Sequence, residues 1–280
     1  MILFQNAMPL SDYLAQARKK HLTVGFVPTM GALHDGHLAL IEACKKENDI
    51  AVCSIFVNPT QFNNPADFSQ YPNTVERDVE QLVQADCSVL FLPSHKEIYP
   101  EPYTALHYDL GYLETVLEGK YRPGHFQGVC QAVDRLLSVV DPQALYLGQK
   151  DYQQCLVIKK LLSLTGKQHI QIKIIPTKRE QNGLAMSSRN LRLSDAQREQ
   201  ATAIYKALSF LKSHARSKPL AVLCEEASAF LERSGFNVDY VAVADAENLS
   251  FLEEADSRKA VALIAATLGG IRLIDNMLLN

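Results

Sequence analysis

Two imidazoles, His34 and His37, stand three positions apart where an apolar run over residues 22–27 gives way to a helical pattern over residues 37–46. Side chains at i and i+3 across a helix start lie on one side, so two ring N–H donors can converge on a single group. A helix start adds unpaired backbone N–H groups and a partial positive charge, which favour an anion such as a nucleotide phosphate. Gly31 and Gly36 let the backbone approach such a ligand closely. The chemistry implied is stabilisation of charge on a phosphorus centre as it becomes five-coordinate. An isolated H-x-x-H reads first as a satisfied core pair or as half of a metal site. The strand-to-helix context reverses that weighting, and the chain has no H-E-x-x-H, no C-x-x-C and no Cys/His cluster to complete a zinc site.

The elements that must position this pair have the grammar of a βαβ unit: an apolar run, a glycine-punctuated loop, a helix carrying Leu38, Leu40, Ile41 and Cys44, then a second apolar run over residues 50–57. The pattern recurs as a helix over 74–84 with a strand over 88–92, and a helix over 127–140 with a strand over 144–147. A helix over 152–164 then leads to a strand over 170–175. Such units wind into parallel sheets with ligands at the strand C-terminal ends. The fold class expected is therefore α/β, a Rossmann-like doubly wound parallel sheet over residues 1–176, with a smaller α+β C-terminal domain over residues 177–280. The latter reads as helices over 195–213 and 219–232 and three β-like runs over 238–279, with Gly269-Gly270 marking a hairpin. A polar stretch with two prolines, residues 61–73, has the length of a lid, although a passive surface excursion fits equally well. Asp78 and Glu80 beside it read either as groups near a metal or as a solvated helix face.

At 280 residues with 47% hydrophobic and 21% charged side chains, the chain is long enough for roughly two domains and is ordinary for a globular protein. A formal net charge of −3 argues against a nucleic-acid-gripping surface. No apolar run approaches the ~20 residues of a bilayer span, and residues 1–10 lack the form of a signal peptide, so the protein is expected in the cytoplasm with no membrane partner. Cys44, Cys53, Cys87, Cys130, Cys155 and Cys224 are scattered singly in apolar surroundings and read as small buried hydrophobes in a reducing compartment.

Five ordered motifs carry a resemblance over essentially the whole chain. They are residues 28–37; Ser54-Ile55-Phe56-Val57-Asn58-Pro59-Thr60-Gln61-Phe62; Arg122-Pro123-Gly124-His125-Phe126; Gly148-Gln149-Lys150-Asp151-Tyr152-Gln153-Gln154; and Gly183-Leu184-Ala185-Met186-Ser187-Ser188-Arg189-Asn190. In this order they resemble the pantothenate synthetases, the pantoate–β-alanine ligases of the nucleotidyltransferase superfamily. The resemblance implies that ATP and pantoate form an enzyme-bound pantoyl adenylate and pyrophosphate, after which the β-alanine amine displaces AMP. It implies His37, His34 and Lys150 as catalytic groups. It implies ATP contacts from Met30, Gly31, His34, Gly36, His37, Gly148, Gln149, Lys150, Asp151, Lys178, Met186, Ser187, Ser188 and Arg189. Pantoate falls to Gln61, Gln154 and Met30, with Phe56 or Phe62 packing its gem-dimethyl group. β-Alanine falls to Gln61 and Asn58, and Arg122 and His125 lie near the anionic groups.

The chemistry asks for positioning and charge stabilisation rather than a protein nucleophile. Two neutral glutamines suit a carboxylate that must stay nucleophilic. The resemblance departs at Lys178, where an uncharged residue is expected beside the adenine, and at Leu147, where an aromatic commonly precedes the glycine. Mg2+ is expected with ATP, its protein ligands unnamed, and a homodimer is implied. Two rival readings stay open: another H-x-x-H nucleotidyltransferase, and a non-catalytic nucleotide or metal sensor using His34 and His37 as ligands.

Overall fold

The computed structural model describes the chain apart from residue 64, residues 255–258, residue 280 and the side chain of residue 66. The chain forms two compact units, one of residues 1–148 and 157–176, the other of residues 149–156 and 177–280.

The first unit is a six-stranded parallel sheet in the order β1-β4-β3-β2-β5-β6. Its strands are β1 (Ile2–Phe4), β2 (Val24–Thr29), β3 (Ile50–Ile55), β4 (Val89–Phe91), β5 (Ala144–Gly148) and β6 (Gln171–Ile175). Every residue of β3 and β4 is buried, which is why these strands read as unbroken apolar runs rather than alternating ones. The connecting helices Asp35–Glu47, Val75–Gln84, His125–Val140 and Tyr152–Leu164 fall where the hydrophobic periodicity places them. The first turn of the last groups with the second unit. Strand β1 and the helix Ala7–Lys19 escape the sequence pattern: β1 has three residues, two of them exposed, and only Leu10, Leu14 and Ala17 of the helix are buried.

Order along the sheet fixes where a ligand belongs. Connections from β2 proceed one way to β3 and β4, whereas β5 and β6 lie on the other side of β2. The winding direction therefore reverses between β2 and β5, and loops leaving their C-terminal ends diverge around a crevice. The ladder between these two strands is short, pairing only Gly25 with Ala144 and Phe26 with Leu145.

The second unit is an antiparallel meander, β7 (Asn237–Asp245), β8 (Ala260–Leu268) and β9 (Ile271–Leu278). Leu208, Leu211, Leu223 and Leu231 pack with Ile264 and Ala266 to make its core. The expected hairpin is present: Leu268 pairs with Ile271, and Gly269 and Gly270 take the positive φ values of 57° and 79° that a two-residue turn needs. The helix expected over 195–213 is two, Asp195–Gln200 and Ala203–His214. The cause is local. Thr202 Oγ1 donates to the Glu199 carbonyl, and the N–H groups of Thr202 and Ile204 bond three residues back, tightening the turn.

Among the described residues no helix is long and apolar enough to cross a membrane, and none of the six cysteines is in a disulfide.

Gly25 sets the distance between β2 and the helix Asp35–Glu47, since a Cβ there would fall on the Cys44 sulfur and the Asn48 amide. Gly25→Ala is therefore expected to lower stability by about 1–3 kcal/mol through overpacking. A shift of the urea unfolding midpoint checks it.

Candidate active site

Strand β2 runs into the loop that carries the histidines, and that loop is held by a buried carboxylate. Asp78, 1% exposed, accepts the Ala32 N–H at Oδ2 and the Leu33 N–H at Oδ1, both at 2.8 Å, and the Thr74 hydroxyl at 3.1 Å. The clamp is needed because Gly31 and Ala32 both take positive φ, 80° and 48°, which for alanine is strained backbone. Asp78 is thus no solvated helix face, which corrects one of the two expectations for it. A usable signal was present: Val75, Asp78 and Leu82 fall on one helical stripe, and an acid on a core-facing stripe must have buried partners. Glu80, by contrast, is exposed.

The two imidazoles cap the helix reciprocally. His34 Nδ1 accepts the Gly36 N–H at 3.1 Å, and His37 Nδ1 accepts the His34 N–H at 3.3 Å. A ring nitrogen that accepts a backbone N–H carries no proton, so in each neutral ring the proton resides on Nε2. The rings lie 4.1 Å apart between centroids and tilted by 34°. One short turn therefore carries two neighbouring rings, each with its proton on Nε2. The same assignment argues against metal ligation, which requires a bare ring nitrogen.

After β3 comes a 3₁₀ turn, Pro59–Gln61, organised by Asn58. Asn58 is 1% exposed and its side chain is fully engaged. Its Nδ2 donates to Gln61 Oε1 (3.1 Å) and the Gly128 carbonyl (3.0 Å), while its Oδ1 accepts from Tyr99 OH, Thr60 Oγ1 and the Thr60 N–H. Burial pushes the Tyr99 phenol up to about 12, so its hydroxyl remains a donor. These contacts orient Gln61, whose Nε2 lies 2.9 Å from Met30 Sδ. Arg122 NH1 lies 3.0 Å from His125 Nε2, and His125 Nδ1 lies 2.8 Å from the Gln61 carbonyl. A carbonyl can only accept, so His125 donates from Nδ1 and receives from Arg122 at Nε2. Glu118 stands 3.7 Å from Arg122. Arg122 and His125 thus brace Gln61 from its backbone side. The helix His125–Val140 packs closely on this turn because position 128 is glycine: a Cβ there would strike the Thr60 carbonyl. Phe62 packs edge-on against Phe68 and Tyr71, so the stretch expected as a polar lid has an aromatic centre of its own; residue 64 within it lies outside the described residues.

The remaining expected residues belong to the second unit, except Gly148, which ends β5. Gln149, Lys150 and Asp151 form a 3₁₀ turn, with Lys150 Nζ 3.8 Å from Asp151 Oδ1. Gln154 is half-buried on the first turn of the following helix. Lys178 is exposed, and its carbonyl accepts the Met186 N–H. Ser187 caps the short helix Ser188–Arg192 by accepting the Arg189 N–H, and Ser188 is buried. Met186 and Arg189 are half-buried. Sequence reasoning missed the pair Asp275 and Asn276, both buried on β9, and their partner Arg179. Burial pushes the Asp275 carboxyl above its ordinary range, opposed by the two Arg179 donors and by the nearby Lys150 ammonium. Among the described residues no group of three or more His, Cys, Asp or Glu side chains is placed to hold a metal ion.

Asp78→Asn retains shape but leaves one loop N–H facing an amide N–H. A loss of about 2–3 kcal/mol is expected from a buried donor without its charged acceptor. Chemical denaturation measures it, and an unchanged midpoint would contradict the clamp.

Comparison with known proteins agrees across the whole length. A family profile described as pantoate-beta-alanine ligase matches residues 2–278. A pantothenate synthetase from Cytophaga hutchinsonii is 42% identical over 283 residues, covering 100% of this chain and 99% of that protein. One from Porphyromonas gingivalis is 41% identical over 279 residues, covering 99% of each. The crystal structure of pantothenate synthetase from Thermus thermophilus superposes with a TM-score of 0.93 at 38% identity, covering 100% of this chain and 99% of that one. That of pantoate-beta-alanine ligase from Francisella tularensis, complexed with beta-gamma ATP and beta-alanine, gives 0.85 at 38% identity, covering 100% and 98%. The chain belongs to the pantoate–β-alanine ligase family.

Proposed function

We propose that this enzyme joins pantoate to β-alanine through an acyl adenylate, with the paired Nε2–H groups of His34 and His37 stabilising charge on the α-phosphate during nucleotidyl transfer. Ligation of pantoate and β-alanine to pantothenate, with ATP binding, follows from family membership. The observation that carries the mechanistic step is the reciprocal cap, which commits both Nδ1 atoms and leaves the proton of each neighbouring ring on Nε2.

Pantoate's carboxylate attacks the α-phosphorus and pyrophosphate leaves; the free amine of β-alanine then attacks the acyl carbon and AMP leaves. Donors already fixed in place stabilise the developing charge without reorganising. Met30, Gly31, Gly36 and Gly148 line the nucleotide in this reading, with Gln149, Asp151 and the backbone near Lys178 taking ribose and adenine. Lys150, Ser187, Ser188 and Arg189 of the second unit take the β and γ phosphates. Gln61 and Gln154 orient pantoate as neutral amides, and Met30 packs its methyl groups. Gln61 also meets β-alanine. Asn58, spent on Gln61, Gly128, Thr60 and Tyr99, acts on the amine site through Gln61, and Arg122 and His125 act through the Gln61 carbonyl.

Mg2+ belongs in this reading to the triphosphate. The donor set does not fit a protein cage, since both oxygens of Asp78 already accept backbone N–H groups, and Mg2+ characteristically keeps waters and phosphate oxygens as ligands. A homodimer in the cytoplasm completes the proposal, and sedimentation at working concentration tests the dimer.

Pantoate-dependent ATP–pyrophosphate exchange tests the reaction; exchange driven by a mononucleotide or an amino acid instead would overturn the substrate. Within it, His34→Asn keeps a good helix cap but loses the Nε2–H. Exchange is expected to fall by about 10²–10³, the scale of one lost transition-state donor, while the unfolding midpoint stays near that of the parent. Near-normal exchange would remove the histidine from the mechanism.

A further inference from the structure

Strand β9 carries two adjacent buried polar residues, Asp275 at 4% and Asn276 at 2% exposure, where a meander core would ordinarily take one apolar side chain. Successive strand residues point to opposite faces, so the pair reaches two different neighbourhoods. Asn276 reaches the turn that carries Lys150. Its Nδ2 donates to the Gln149 carbonyl at 2.9 Å and to the Lys150 carbonyl at 2.8 Å, and its Oδ1 accepts from Gln149 Nε2 at 3.2 Å. That uses both amide hydrogens on one turn.

Asp275 reaches the segment before Met186. Arg179 grips it with both arms of the guanidinium, NH1 to Oδ2 at 2.6 Å and NH2 to Oδ1 at 3.0 Å, and Asp275 Oδ1 accepts the Asn276 N–H at 2.8 Å. The same guanidinium donates to the Asn276 carbonyl at 3.2 Å and the Gly183 carbonyl at 3.1 Å, and lies 4.8 Å over the Tyr205 ring. Gly183, at φ 92°, rests against that ring where a Cβ has no room. Arg179 pairs with Ala185, and the Met186 N–H bonds the Lys178 carbonyl. An unbroken path of hydrogen bonds thus links the Lys150 turn, through β9, to the loop holding Met186, Ser187, Ser188 and Arg189.

We propose that Asn276, held by the Asp275–Arg179 pair, is a positioning residue for Lys150, so that the lysine and the Met186-to-Arg189 loop meet the triphosphate as one preassembled set. The place of residues 149–156 in the second compact unit agrees with this: the lysine and the Met186-to-Arg189 loop belong to the same unit. The inference rests on the reading that Lys150 engages ATP.

Exchange rates of Lys150→Ala, Asn276→Ala and the double variant, measured with saturating pantoate and Mg-ATP at high enzyme concentration, test it. Asn276→Ala alone is expected to lose on the order of tenfold, the scale of a misplaced catalytic group, and to lose nothing further in the Lys150→Ala background. Multiplied losses in the double variant, or wild-type exchange in Asn276→Ala, would overturn the proposal, since a merely structural role persists without the lysine. A silent Lys150→Ala would instead refute the underlying reading of Lys150. Should Asn276→Ala fail to fold, Asn276→Ser keeps a small polar side chain and loses the paired amide donors to the Gln149 and Lys150 carbonyls. The same dependence on Lys150 is expected of it, and a loss independent of Lys150 would count against the inference.

Discussion

Which nitrogen of an imidazole holds its proton depends on what the other nitrogen must accept, and here two backbone N–H groups decide for both histidines. The constraint is local and inexpensive, because the first N–H groups of any helix need partners. Its consequence reaches the chemistry. With both Nδ1 atoms committed to the cap, the only N–H hydrogens of the rings are on Nε2. In the proposed mechanism, helix capping and preorganised charge stabilisation are one arrangement.

Everything around that turn serves to hold it. Asp78 ties down the strained Gly31-Ala32 backbone, and Gly25 lets the helix lie close on β2. The reversal of winding between β2 and β5 places the turn at a strand edge where neighbouring loops diverge. A second rigid cluster, Asn58 with Gln61, Gly128 and Tyr99, fixes an amide beside Met30. The third, on β9, belongs to the other unit. In each, a buried polar side chain uses all or most of its hydrogen-bonding capacity on backbone or on a partner side chain, which is the condition under which such groups are stable and specific.

Much of this was legible in the sequence, for reasons that can be stated residue by residue. Strands β2 and β3 and the helix between them are buried on enough sides to read as apolar runs and a 3.6-residue stripe, and Gly269-Gly270 demands its hairpin. Strand β1 is too short to register. The break at Ala201 and Thr202 depends on one hydroxyl competing for a carbonyl. Asn276 was invisible because its partners lie 126 and 127 residues away. Asn58 shows the limit of motif reading: family resemblance selects the residue, whereas only the hydrogen bonds show that its side chain is engaged by Gln61, Gly128, Thr60 and Tyr99.

Long-range 1H–15N correlation spectra of the imidazole rings of His34 and His37 report directly which nitrogen holds each proton. Both rings are expected as Nε2–H tautomers in the free enzyme, each Nδ1 accepting its backbone N–H. Nδ1–H tautomers, with Nε2 bare, would contradict it.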